Sequence, residues 1–342
     1  MEIRSYKRVI CLLIILVFAA PVDAARPKDL GELYDLAQQS CVEVLINGHQ
    51  SGTGCIVSSD GLVLTAAHVI NQQQRIEVVS KGIGRRNATI VAVNLGHDIA
   101  LLQVDSKDGE FKPLAVNRRF PAPGTDIYLF ASPLYRHGIL QRGMVARRQT
   151  TFEYQDRFIE VFHVAGQVQK GSSGGVWLNE RGEIVGVQSG SVTSQFGPAG
   201  IANVTPARAV ADLLATQQHA STPTLQMFVD ELVVLSPEVL EKLPERTIGV
   251  VVQKMESRGA AEQGGVNQGD VITHINGKRI RIRDDFVGAI RTMKPGDMVT
   301  LTLLRGDMTT AQEVTVPVAE MEATWRSPPD VQPVHTTRED AN

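Results

Sequence analysis

The residue types best suited to covalent chemistry fall in three short segments: Thr65-Ala66-Ala67-His68-Val69, His97-Asp98-Ile99-Ala100-Leu101-Leu102 and Gly171-Ser172-Ser173-Gly174-Gly175. A serine hydroxyl is a poor nucleophile near neutral pH. It needs an imidazole to take its proton and a carboxylate to hold that imidazole in one tautomer. Taken singly, each segment has a plain structural reading: a polar residue closing a strand, a carboxylate at a strand edge, a glycine-serine turn. Their coincidence points to chemistry, with Ser173 attacking a carbonyl carbon, His68 as general base and Asp98 as its orienting group. Glycines on both sides of Ser172-Ser173 let the backbone turn tightly. The Gly171-Ser172-Ser173 segment can then aim amides, those of Gly171 and Ser173 first, at one carbonyl oxygen as an oxyanion hole. Such a donor is worth about 3 kcal/mol of barrier.

Short runs of β-forming residues with turn signals between them occupy residues 26 to about 217, the pattern of an all-β double barrel. Strands are expected at 42–46, 55–57, 62–65, 75–79, 90–93 and 99–104 for a first barrel, and at 127–131, 140–146, 158–164, 175–178, 184–189 and 200–204 for a second. His68 and Asp98 belong to the first and Ser173 to the second, so the site is expected between them. Thr205-Pro206 reads as the start of a helix running to 214, with Thr as N-cap and Pro at the first helical position.

The N-terminus carries Arg4, Lys7 and Arg8 before an apolar run at 9–20, and Val22-Asp23-Ala24 has the small residues a signal peptidase reads. Residues 1–24 are therefore expected to be a secretory signal, and a bacterial periplasm is the simplest destination. The chain has 342 residues, 43% of them hydrophobic, enough for two separate cores. Loss of the signal, with three basic and two acidic residues, moves the formal net charge from -3 to -4, and no basic patch suggests nucleic acid. No Cys-x-x-Cys or His-x-x-x-His spacing occurs, so neither a metal nor any cofactor is expected. Cys11 leaves with the signal. Cys41 and Cys55 lie equally far from Gly48 across a probable hairpin, which suggests either a disulfide or two small buried residues.

From about residue 40 to 318 the chain resembles the HtrA/Deg family of trypsin-like serine proteases with a C-terminal PDZ domain. Residues 51–65, Ser-Gly-Thr-Gly-Cys-Ile-Val-Ser-Ser-Asp-Gly-Leu-Val-Leu-Thr, are similar to the hairpin that leads into that family's catalytic His. Intervals of 30 residues from His68 to Asp98 and 75 from Asp98 to Ser173 match its compact members. The order His, Asp, Ser is that of chymotrypsin. Two departures flank the nucleophile, where Lys170 replaces a Pro and Ser172 an Asn. The resemblance places Val168, Ser189, Gly190 and Ser191 on the wall of the pocket for the residue before the scissile bond, and Ser189 also within reach of Asp98. No acidic residue lies there, which favours small or medium apolar side chains over Lys or Arg.

After a polar linker at 217–223, the stretch Gly269-Asp270-Val271-Ile272-Thr273-His274-Ile275-Asn276-Gly277 is similar to a PDZ strand and turn, and 285–293 to the helix bordering its groove. Such a groove adds a peptide strand and captures a C-terminal carboxylate. The carboxylate loop would hold Leu225, Gln226 and Met227, with Gln226 where the family has Gly. The expected organisation is a signal at 1–24, a protease domain at 25–217, a PDZ domain at 218–323 and a disordered tail at 324–342. The resemblance implies an ATP-independent endopeptidase acting on unfolded or misfolded proteins, assembled as a homo-oligomer of at least three chains. The alternative is a catalytically weak scaffold that binds unfolded chains.

Overall fold

The computed structural model describes residues 27, 29–70, 75–104, 111–153, 158–194, 197–305 and 310–322. The expected signal, Cys11 and the expected tail lie outside the described residues. Strands β1 (Cys41–Ile46), β2 (His49–Ile56), β3 (Leu62–Ala66), β4 (Ile76–Ser80), β5 (Gly84–Asn94) and β6 (Ile99–Val104) close a barrel in the order β1-β2-β3-β6-β5-β4. A second barrel, β10-β11-β12-β9-β8-β7, is made by β7 (Asp126–Ala131), β8 (Ile139–Glu153), β9 (Phe158–Ala165), β10 (Val176–Leu178), β11 (Ile184–Ser194) and β12 (Gly197–Pro206). Closure leaves neither sheet a free edge.

The β1–β2 hairpin turns at Asn47-Gly48, both with positive φ as a two-residue turn between twisted strands requires. It sets Cys41 opposite Cys55, but both are free thiols, so the expected disulfide is not formed. Burial pushes the Cys55 thiol well above its usual value, and a thiol kept protonated is a poor partner for oxidation.

Two helices cover the seam between the barrels. Helix α1 (Leu30–Ser40), absent from the sequence expectation, is capped by Asp29, whose Oδ1 accepts the Glu32 N–H at 2.9 Å. It buries Leu33 and Ala37. Full burial of a leucine contributes about 1.5–3 kcal/mol. Helix α2 (Ala207–Thr216) starts after Pro206 without a side-chain cap. Thr205 does not cap it as expected, because its hydroxyl donates to the carbonyl of His97 at 2.5 Å. Val210 and Leu213 of α2 join Leu33, Leu64, Ile99, Phe130 and Val176 in one core cluster spanning both barrels.

The linker is fastened to the first barrel and is no free tether. Ala220 N–H donates to Val93 O at 2.9 Å, and Thr222 Oγ1 accepts the Gly96 N–H at 3.3 Å. Beyond it come β13 (Pro223–Thr224), β14 (Met227–Glu231), α3 (Pro237–Leu240), β15 (Val250–Met255), α4 (Ala260–Gln263), β16 (Val271–Ile275), β17 (Lys278–Arg279), α5 (Arg283–Arg291), β18 (Met298–Leu304), β19 (Ala311–Pro317) and β20 (Ala319–Glu320). The main sheet runs β14-β15-β16-β18-β19 with β17 on β16, which leaves β14 at its edge beside α5. β13 pairs with β20.

This C-terminal unit sits on the β8–β9 hairpin. Phe158 of β9 enters its core, with its ring centroid 5.6 Å from that of Phe228. Asp284, in the first turn of α5, accepts from Thr151 N–H at 2.9 Å, Thr151 Oγ1 at 2.7 Å and Thr150 Oγ1 at 3.0 Å, and pairs with Arg147 at 3.1 Å.

Candidate active site

His68 lies on a single 3-10 turn, Ala67–Val69, directly after β3, and Asp98 closes the turn between β5 and β6. Neighbouring strands bring them together, since β3 pairs with β6 and sets Ala66 opposite Ile99. The Asp98 carboxylate is 4% exposed and fully engaged. Oδ1 accepts the His68 backbone N–H at 3.0 Å, while Oδ2 takes the His68 Nδ1 proton at 2.7 Å and the Ser189 hydroxyl at 2.5 Å. Burial pushes the Asp98 carboxyl up, but the His68 charge and these hydrogen bonds outweigh it and hold the group below its usual value. A carboxylate on Nδ1 leaves Nε2 as the basic nitrogen facing a substrate.

Ser173 comes from the turn ahead of β10 in the second barrel. Its hydroxyl donates to the carbonyl of Ser189 at 3.2 Å in this resting arrangement. Of the three amides expected in the oxyanion hole, that of Ser172 is taken, because it donates to Gln169 O at 3.0 Å and closes the turn. The N–H groups of Gly171 and Ser173 donate to no protein group among the described residues. Lys170, which stands in place of a stiffening proline, directs its carbonyl to Leu134 N at 3.0 Å and so away from that pair. Gly174 has φ +81°, and a Cβ there would stand 2.1 Å from Thr53 O, so only glycine fits.

Thr53 escaped the sequence reading. Lying on β2, in the other barrel, it donates Oγ1–H to Gly171 O at 2.9 Å and its N–H to Ser173 O at 2.8 Å, and its Oγ1 accepts the Ser132 N–H at 3.0 Å. The only signal was the small-residue run Ser51-Gly52-Thr53-Gly54, which fits close approach of two backbones.

The expected pocket wall is divided. Ser189 is buried with its hydroxyl turned to Asp98, and Val168 packs with Ile127, Trp177, Ala202 and Val204 in the core of the second barrel. Val168 is thus 6% exposed and packed against the second barrel from the loop ahead of the serine turn. Gly190 and Ser191, half-exposed on β11, pair on one side with Asn203 and Ala202 of β12. Among the described residues no cluster of His, Cys, Asp and Glu fits a metal ion.

In the C-terminal unit a groove runs between Leu225, Met227 and Phe228 on one side and Phe286, Val287 and Ile290 on the other. Gln226 takes the left-handed conformation, φ 57°, that a glycine would adopt freely. Its side chain is held by Ala260 N–H at 2.9 Å and Glu256 at 3.0 Å, and its own N–H is taken by Thr224 Oγ1 at 3.0 Å. That amide is not offered to a carboxylate.

Comparison with known proteins agrees with this division. A trypsin-like peptidase domain matches residues 52–187 and a PDZ domain matches residues 225–316. The chain is similar to Serine protease HTRA4 of Homo sapiens, 29% identical over 273 residues that make up 75% of this chain and 55% of that protein. It is also similar to a Probable periplasmic serine endoprotease DegP-like of Pseudomonas fluorescens, 27% identical over 269 residues, 78% of this chain and 56% of that one. The chain thus spans about half the length of the curated relatives it matches. Among solved structures, HtrA-type protease AlgW with decapeptide shares the fold with a TM-score of 0.63 at 18% identity, covering 88% of this chain and 100% of that one. A trypsin-like peptidase match is thus followed by a PDZ match, and the chain is similar to proteins named HtrA and DegP-like serine proteases.

Proposed function

We propose that this chain is a serine endopeptidase in which Ser173 is the nucleophile, His68 the general base and Asp98 its orienting carboxylate. The observation that carries the reading is the His68 Nδ1 to Asp98 Oδ2 bond of 2.7 Å, beside a serine turn whose Gly171 and Ser173 amides have no protein acceptor among the described residues. On substrate binding the Ser173 hydroxyl turns from Ser189 O to His68 Nε2. Its oxygen then attacks the peptide carbonyl carbon as the proton passes to the imidazole, and Asp98 stabilises the imidazolium. The Gly171 and Ser173 N–H groups receive the oxyanion. His68 returns the proton to the leaving amine, and water, activated by the same imidazole, hydrolyses the acyl-enzyme.

Unfolded proteins are the substrates in this reading, entering as an extended strand along Ser189, Gly190 and Ser191 with a small or medium apolar residue before the scissile bond. A peptide C-terminus adds to the free edge of β14 at Leu225, Gln226 and Met227. With the Gln226 amide engaged, main-chain pairing carries more of that affinity than carboxylate capture. Relatives named periplasmic endoproteases support a periplasmic location, and a homo-oligomer of at least three chains belongs to the same proposal.

A fluorophosphonate adduct on Ser173, found by mass spectrometry together with cleavage of an unfolded model substrate, is the expected result. Unfolded substrate bound but not cleaved, with no adduct on Ser173, turns the assignment to the weak scaffold.

A further inference from the structure

Asp98 occupies a left-handed conformation, φ 52°, which a non-glycine residue keeps only where its surroundings impose it. Part of the restraint is local. Asn94 Oδ1 accepts the His97 N–H at 3.1 Å, and Asp98 N–H reaches Leu95 O at 3.3 Å. The remainder arrives from other elements. Glu160 N–H of β9 donates to Gly96 O at 2.8 Å, Thr205 of β12 donates to His97 O, and Gly96 N–H donates to Thr222 of the linker. Outside this ring of bonds stands one side chain from the PDZ domain, Arg291 in the last turn of α5.

Arg291 is 12% exposed, and burial pulls its pKa down to about 10, which leaves it charged at neutral pH. Its Nη1 donates to Pro223 O at 2.5 Å and its Nη2 to Phe158 O at 2.7 Å. Its Nε lies 3.7 Å from Glu160 Oε1, and a Cβ added to Gly96 would stand 3.6 Å from its Cζ. The guanidinium therefore packs on the turn that carries Asp98 and braces the strand and the linker that tie the turn down. Glu160 Oε1 is in turn 3.9 Å from His97 Nε2, one residue before Asp98.

We propose that Arg291 is a positioning residue for the catalytic aspartate, a PDZ side chain that holds the Asp98 turn in register with His68. The inference rests on the reading of His68, Asp98 and Ser173 as a triad. A single guanidinium bonded to Phe158 O and Pro223 O fixes the spacing of β9 and the linker, and these two elements supply the bonds to Gly96 O and Gly96 N–H. Without it, the carboxylate loses angular definition toward the imidazole; because Arg291 also lines the PDZ groove, KM is read with a short peptide blocked at its C-terminus.

The test uses the full chain with Arg291→Met, Arg291→Lys and, as a comparison that breaks PDZ docking elsewhere, Arg147→Gln. Two quantities are read: the low-field NMR resonance of the His68 Nδ1 proton, and the rate of fluorophosphonate addition to Ser173 beside kcat and KM for a peptide. Arg291→Met should lose or shift that resonance and slow both addition and kcat about tenfold at unchanged KM. Arg291→Lys keeps the charge but cannot bond two carbonyls in the same geometry, so it should fall about threefold and serve if the Met variant does not fold. Arg147→Gln should match the parent protein in both. A parent-like resonance and rate in the Arg291 variants overturns the proposal, and so does an equal loss in Arg147→Gln. If the parent chain forms no adduct, the triad reading fails, while the resonance still decides whether Arg291 holds the turn.

Discussion

Ser189→Ala removes one of the hydrogen bonds to the Asp98 carboxylate without touching the others, because His68 supplies both remaining donors and the Ser189 carbonyl that holds Ser173 belongs to the backbone. A hydrogen bond to a buried charge is worth about 1.5–3 kcal/mol, and at 4% exposure no bulk water replaces it. At about 2–4 °C per kcal/mol for a large domain, the thermal midpoint should fall by roughly 3–12 °C. The same charge stabilises the imidazolium that forms during attack, so if half of the loss is felt there, kcat/KM falls about three- to tenfold. The pH dependence has a definite sign. Asp98 has a folded value below its usual one, so its contribution is present above the unfolded carboxylate value of about 3.9 and is lost as pH falls through the folded value. The midpoint gap between parent and variant should therefore be full at pH 7 and close on acidification. Thermal unfolding at neutral and acid pH, with peptide hydrolysis at pH 7, measures all three quantities. An unchanged midpoint at neutral pH, or a gap that persists at every pH, refutes the argument that this hydroxyl supports an ionised Asp98.

Ser173→Ala should abolish hydrolysis yet leave the unfolding free energy within about 0.5 kcal/mol of the parent, since among the described residues the hydroxyl makes only the long bond to Ser189 O. Gly174→Ala should cost about 3 kcal/mol or more, read as a large fall in midpoint, because the added Cβ meets Thr53 O at 2.1 Å in a left-handed conformation. Burial lowers the His97 pKa, so the unfolded chain takes up a proton near pH 6.5 that the folded chain refuses, and stability should fall as pH drops below that value. His97→Gln should reduce this loss in denaturant melts at pH 7 and 5.5, with His163, also lowered by burial, accounting for part of what remains.

Much of the architecture is readable in the sequence because strands declare themselves by alternation and turns by glycine. β6 was expected at its observed bounds of Ile99–Val104, and most other strands within a few residues. β8 was expected to end at Ala146, yet it runs on to Glu153, since the polar stretch after Ala146 is strand by virtue of what docks on it. That partner is α5, more than a hundred residues later, and periodicity carries no trace of it. α1 was overlooked although Asp29 and Glu32 stand at capping-box spacing. Thr205 looked like a cap because Thr-Pro usually is one, but a buried carbonyl at His97 competed for its hydroxyl and won. His68, Asp98 and Ser173 were legible because each carries a local motif. Thr53 and Arg291 were not, since their positions matter only through elements far away in sequence.

Thr53 also bears on when activity arises. The nucleophile turn is folded by the second barrel but pinned from the first, through bonds joining positions 118 residues apart. A chain emerging from synthesis or export presents Thr53, His68 and Asp98 well before Ser173, and contacts of such separation form late, after each barrel has closed. A growing chain therefore has the base without the nucleophile, and a complete but half-folded one has both without the geometry that joins them. In the proposed reading, hydrolysis can therefore begin only after both barrels have closed and met, so an immature copy does not attack its neighbours.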